Sequence, residues 1–265
     1  MAIIGSILGD IAGSRWEMGR PDDLDWKHID LFTDDCFFTD DTVLTMATAY
    51  ALTADGCFAR AYKTFARSYP NVTYGAAFRD WAYSENEAPY GSFGNGSAMR
   101  ISPIVDWAKD ESELKGMACE SAACTHNHSE GIKGAEVTAV CAWMAKTGAT
   151  KDEILQYALA MYPADKYRFS PVWNLAALRE CYSWDVTCQG SVPVAIRCFI
   201  ESEDYESFLR NVLSLRCDTD TLGAIGGCIA EEYYGKTSFD NQALILRYLD
   251  KTLMTILNKC GLDYE

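Results

Sequence analysis

Apolar residues recur at three- and four-residue steps along most of the chain, and that period predicts α-helices. The clearest stretches are 43–53 (VLTMATAYALT), 58–68 (FARAYKTFARS), 112–124 (SELKGMACESAAC), 130–146 (EGIKGAEVTAVCAWMAK), 151–162 (KDEILQYALAMY) and 241–258 (NQALILRYLDKTLMTILN). Alternating β-branched runs, the mark of half-buried strands, are nearly absent, so the expected fold class is all-α. Near the start Gly5, Gly9 and Gly13 fall every four residues, which puts three glycines on one helix face and lets another helix approach closely. We read that stripe as packing. No solenoid-length repeat is present, and no linker or charge block divides the chain, so a single compact multi-helix domain over 1–265 is expected.

Composition narrows the function classes. With 265 residues, 49% of them apolar, the chain can bury a substantial core. No apolar run approaches the ~20 residues needed to span a bilayer, and the apolar first thirteen residues lack a basic leader and a cleavage site. A soluble, unsecreted, cytoplasmic monomer with no membrane partner is expected. The 11 cysteines are odd in number, scattered and without a Cys-x-x-Cys pair, which points to reduced thiols. Net charge is −15, from 23 basic and 38 acidic residues, with no Lys/Arg cluster, and this speaks against extended nucleic-acid binding. The same charge repels an anionic small molecule, so such a ligand needs a local source of positive potential: bound cations or helix N-termini.

Two acidic runs answer that need. Thr39-Asp40-Asp41-Thr42 and Asp218-Thr219-Asp220-Thr221 each pack carboxylates and hydroxyls into four residues at the mouth of a helix. One local geometry there aims several oxygens at a hard cation such as Mg²⁺ or Mn²⁺. Either run alone suits a plain helix cap better than a metal site. A third feature is the loop Tyr90-Gly91-Ser92-Phe93-Gly94-Asn95-Gly96-Ser97-Ala98-Met99-Arg100, whose backbone N–H groups are able to converge on a phosphate or diphosphate. It is neither a Walker A loop nor a dinucleotide fingerprint, and a tight turn between helices is its bland alternative. Phe93 suits either stacking on a base or plugging the core. Of three histidines, His126 and His128 stand two apart and share no helix face, so they do not ligate one metal from within a helix. His126 suits a hydrogen bond to a ligand and His128 a cap. A haloacid-dehalogenase-type phosphatase also uses Asp-x-Asp-x-Thr, but here Leu222 follows and too little chain remains for that domain.

Taken in order, Gly9-Asp10-Ile11-Ala12-Gly13-Ser14-Arg15-Trp16-Glu17, Thr39 to Thr42, Gly94 to Arg100 with Pro103, Thr125-His126, Asp218 to Thr221 with Gly227, and Tyr233-Tyr234-Gly235 span nearly the whole chain. This succession resembles the ADP-ribosylglycohydrolase family, which includes the dinitrogenase-reductase-activating glycohydrolases. The resemblance implies an all-α domain and a centre of two divalent metal ions, Mg²⁺ or Mn²⁺. It implies hydrolysis of the N- or O-glycosidic bond between ADP-ribose and a modified protein or small molecule, with release of ADP-ribose. By motif position Thr39, Asp40 and Asp41 would hold one ion, while Asp218, Asp220 and Thr221 would hold or bridge the other. Glu17 would lie beside the pair, and Glu17 and Asp220 are the catalytic candidates. Gly91, Ser92, Phe93, Gly94 and Asn95 would cradle the diphosphate and proximal ribose, with Phe93 near adenine and His126 on the opposite wall. Asp10 would orient the ligands. Five carboxylates against two divalent ions leave such a site near neutrality. Arg216-Cys217 and Glu231-Glu232 depart from the family's usual small residues and leave the target linkage open. The alternative is an inactive family member, an ADP-ribose reader or a structural protein like the related lens crystallins.

Overall fold

The computed structural model describes residues 1–262, so the last three residues of the expected 1–265 domain lie outside the described residues. The chain is helical as expected. In order come α1 (Ala2–Ser14), α2 (Asp40–Tyr50), a π-helical turn (Ala51–Asp55), α3 (Phe58–Ser68), α4 (Ala76–Tyr83), α5 (Gly96–Met99), α6 (Ser102–Trp107) and α7 (Glu111–Ala123). Then follow α8 (Ser129–Lys146), α9 (Lys151–Met161), α10 (Leu175–Cys181), α11 (Cys188–Ile200), α12 (Tyr205–Leu213), α13 (Thr219–Tyr234), α14 (Asn241–Tyr248) and α15 (Lys251–Lys259). Among the described residues the only β-type pairing is an isolated bridge between Gly94 and Thr187. That removes the strand-based phosphatase alternative.

Two helices form the centre. α1 is small or apolar apart from Asp10, and all its residues are buried, as so apolar a helix must be. α13 is buried from Thr219 to Glu231 and lies directly against it. The glycine stripe explains how close they come: a Cβ on Gly9 would sit 2.0 Å from the Gly223 carbonyl oxygen, and one on Gly5 would sit 2.3 Å from that of Gly227. Gly13 meets the Thr219–Asp220 backbone at 2.4 Å in the same sense. Only glycine admits such contact, and it sets the end of α1 level with the start of α13. α8, α11 and α12 pack on α13, α2 and α6 on α1, α3 on α2, and α15 on α2.

Local chemistry sets the ends. Thr150 and Glu153 form a capping box at α9, and the Asp110 carboxylate accepts from Glu113 N–H at α7. The apolar period at 241–258 predicts one helix, yet two form. Asp250 breaks it, its carboxylate accepting the Thr252 and Leu253 N–H groups at 2.8 and 3.0 Å. At the start of α1 the Asp106 carboxylate accepts from Ala2 and Ile3 N–H, and Glu231 accepts from Gly5 N–H. The departure at Glu231 thus satisfies a buried helix start. Among the described residues no disulfide forms, and no helix is long and apolar enough to cross a membrane.

Candidate functional site

The first turn of α2 is held by Asp10 of α1, whose carboxylate is fully buried. It accepts from Thr39 N–H at 3.0 Å, the Thr39 hydroxyl at 2.8 Å, Thr42 N–H at 3.0 Å and the Thr42 hydroxyl. Burial still outweighs these donors and raises Asp10 to about 6. Thr39 caps α2, accepting Asp41 N–H, and the Asp41 Oδ2 accepts from the Thr39 and Thr221 hydroxyls, each at 3.3 Å. That last contact brings the two acidic runs together across α2 and α13.

Two oxygens in this cluster, Oδ1 of Asp41 and Oδ1 of Asp220, are buried with no hydrogen-bond partner. Glu17, Asp218 and Asp220 offer carboxylate oxygens within 4.8 Å of one another. Without a counter-charge the group is self-repelling. Burial first, then neighbouring carboxylates, push Asp40, Asp41 and Asp220 well above the ordinary range, and Glu17 to about 7. Burial also raises Asp218, although the Asn95 amide donates to its Oδ2 at 2.8 Å. Orphaned oxygens and crowded carboxylates are a donor set that suits hard divalent cations.

These residues line a cleft of about 460 Å³ together with Ser92, Gly94, Asn95, Gly96, Arg100 and His126. The glycine loop is fastened by Asn95 N–H to the Val186 carbonyl at 2.8 Å and by Cys188 N–H to the Phe93 carbonyl at 2.9 Å. Asn95 also turns its amide to Ser191 at 3.0 Å, so its side chain ties the loop to the acidic cluster. Only one short turn, α5, follows the loop. Gly91 and Phe93 stand outside the lining. Gly91 adopts φ 72° and donates to Asn127, while Phe93 is 44% exposed with its ring 5.2 Å from that of His128. His128 caps α8, accepting Glu130 N–H.

Sequence reasoning missed Tyr74, Phe78, Trp184 and Val186, which line the cleft from segments that carry no motif. Tyr90 and Arg100 open and close the glycine-loop motif, and both line it too. Arg216 pairs with Asp22 at 2.6 Å on the surface and leaves the cluster's aspartates alone.

The helical core and the carboxylate-crowded cleft beside a glycine loop define the class: an all-α protein with an oxygen-rich cleft. The chain belongs to the ADP-ribosylglycohydrolase family, whose model matches residues 1–253. It is 25% identical to human ADP-ribosylhydrolase ARH3 over an alignment 306 positions long, covering 88% of this chain and 84% of the relative, and 26% identical to the mouse protein, covering 88% and 82%. A solved structure titled "ADP-ribosylglycohydrolase-related protein complex" shares the fold with a TM-score of 0.72 at 23% identity, covering 98% of this chain and 96% of the other.

Proposed function

We propose that this protein is a metal-dependent hydrolase that cleaves the N- or O-glycosidic bond between ADP-ribose and a modified target, acting as one domain over 1–265. The reading is carried by the meeting of the two acidic runs, with orphaned Asp41 and Asp220 oxygens, in the cleft that the glycine loop lines. Thr39, Asp40, Asp41, Asp218, Asp220 and Thr221 would hold two ions, Mg²⁺ or Mn²⁺. When bound, the ions supply positive charge and Lewis-acid polarisation of ribose hydroxyls and water. Ser92, Gly94, Asn95 and His126 bind the anionic part of the ligand. Gly91 and Phe93 shape the rim. Glu17 is less buried than Asp218 and Asp220, lies beside both, and accepts the proton of the attacking water as the anomeric carbon gains oxocarbenium character.

The test offers the protein ADP-ribosyl-arginine, ADP-ribosyl-serine peptides and O-acetyl-ADP-ribose, and measures free ADP-ribose with Mg²⁺, Mn²⁺ or EDTA. We expect release from at least one linkage, abolished by EDTA. Absence of release from every linkage with metal in excess would overturn hydrolysis and favour the inactive reading.

A further inference from the structure

We infer that Arg100 and Thr125 are positioning residues that fix His126 as a hydrogen-bond donor, its Nε2–H turned onto the glycine loop. The identity of the ligand met there rests on the ADP-ribose reading; the relay itself rests on the hydrogen bonds.

Arg100 follows α5 and is completely buried. Its guanidinium lies 3.9 Å over the Tyr62 ring, and its Nη2 donates to the Ser121 carbonyl at 2.9 Å and to the Thr125 hydroxyl at 2.8 Å. Nε and Nη1 are buried without partners, and among the described residues Arg100 forms no ion pair. A lone buried cation on the lining of the cleft is costly unless something uses its field.

The direction of each bond follows from what each group is able to do. A guanidinium only donates, so the Thr125 oxygen is the acceptor. Thr125 is fully buried, and its own hydrogen needs a partner; His126 Nδ1 stands 2.7 Å away. Nδ1 therefore accepts, and the proton of a neutral imidazole sits on Nε2. The opposite tautomer would leave the hydroxyl hydrogen only the weakly accepting Cys124 sulfur. Burial, then the Arg100 charge, also hold His126 well below the ordinary imidazole range, which keeps the ring neutral.

Nε2 faces the loop. A Cβ on Gly96 would sit 3.2 Å from it and one on Gly94 3.7 Å, so the absence of side chains there leaves the Nε2–H open to the cleft. Each bond of the relay polarises the next, and the Arg100 charge reaches the ligand through Thr125 without direct contact. The anion this suits is a phosphate oxygen.

The decisive measurement is the imidazole ¹⁵N spectrum of ligand-free protein at neutral pH, readable because the chain has only three histidines. His126 is expected to show a bare Nδ1 and a protonated Nε2. Thr125→Val keeps the shape and removes the hydroxyl, so the tautomer signature should become mixed and ADP-ribose should bind about 10- to 100-fold more weakly, with Mg²⁺ affinity retained. Thr125→Ser should restore both readouts. A protonated Nδ1 in the parent overturns the relay, as does a Thr125→Val spectrum identical to the parent's. Should the valine variant fail to fold, the parent spectrum decides alone. If the parent binds no ADP-ribose, the proposed function fails while the tautomer still tests the relay.

Discussion

Asp220 and Glu17 face one cleft with different degrees of burial, and that predicts different failures on substitution. Asp220 is 3% exposed with an orphaned oxygen, so Asp220→Ala should lower metal occupancy, activity and ADP-ribose affinity together. Glu17→Gln keeps the shape and removes a proton acceptor. Its turnover should fall by about 10²–10⁴ with ADP-ribose affinity little changed. Steady-state kinetics beside calorimetric titration separates the two, and parental turnover in Glu17→Gln would move the base to an aspartate. Both acidic runs were legible in the sequence because each is a local cluster. The four-donor cradle around Asp10, the Asn95–Asp218 link and the lone Arg100 were not, because they depend on which distant segment folds against them.

At the level of elements, the contact between α1 and α13 holds the acidic cluster in register. A methyl on Gly9 would meet backbone at 2.0 Å, and a backbone carbonyl has no rotamer to escape into. Gly9→Ala should therefore cost about 3 kcal/mol or more, and weaken metal binding by shifting α13. Gly116→Ala in α7 meets nothing within 4 Å and should instead be neutral or stabilise by up to about 1 kcal/mol. Denaturant unfolding of both variants checks the contrast; equal stabilities would mean the α1–α13 interface relaxes freely. The spacing of Gly5, Gly9 and Gly13 announced a close helix contact but could not name the partner helix. Nor could apolar periodicity reveal the break at Asp250, where a cap competes with helix continuation over three residues.

For the whole molecule, the crowded carboxylates make stability a function of pH, and of metal if the proposed ions bind. Asp10 is raised to about 6 and Glu17 to about 7, so the folded, metal-free protein holds protons that the unfolded chain has released. Their stabilising contribution is fully present below about pH 4 and is lost as pH rises through about 6–7. Cations bound as proposed would replace those protons, so the gap in Tm between metal-loaded and EDTA-treated protein should widen from pH 5 to pH 8. Asp106 and Glu231, raised to about 6 and 7 at the far end of α1, titrate in both forms and cancel from the difference. Thermal melts across that range check it, and a flat gap would remove the metal from the site. The Asp41–Thr221 bond also spans 180 residues of chain. At the ~5–20 residues per second of protein synthesis, α1 emerges roughly 10–40 s before α13, whose backbone meets its glycine face. Through that interval a largely apolar helix stands without its mate, so a nascent chain stalled before α13 is a substrate for chaperones and aggregation, and its first acidic run has no second one to meet.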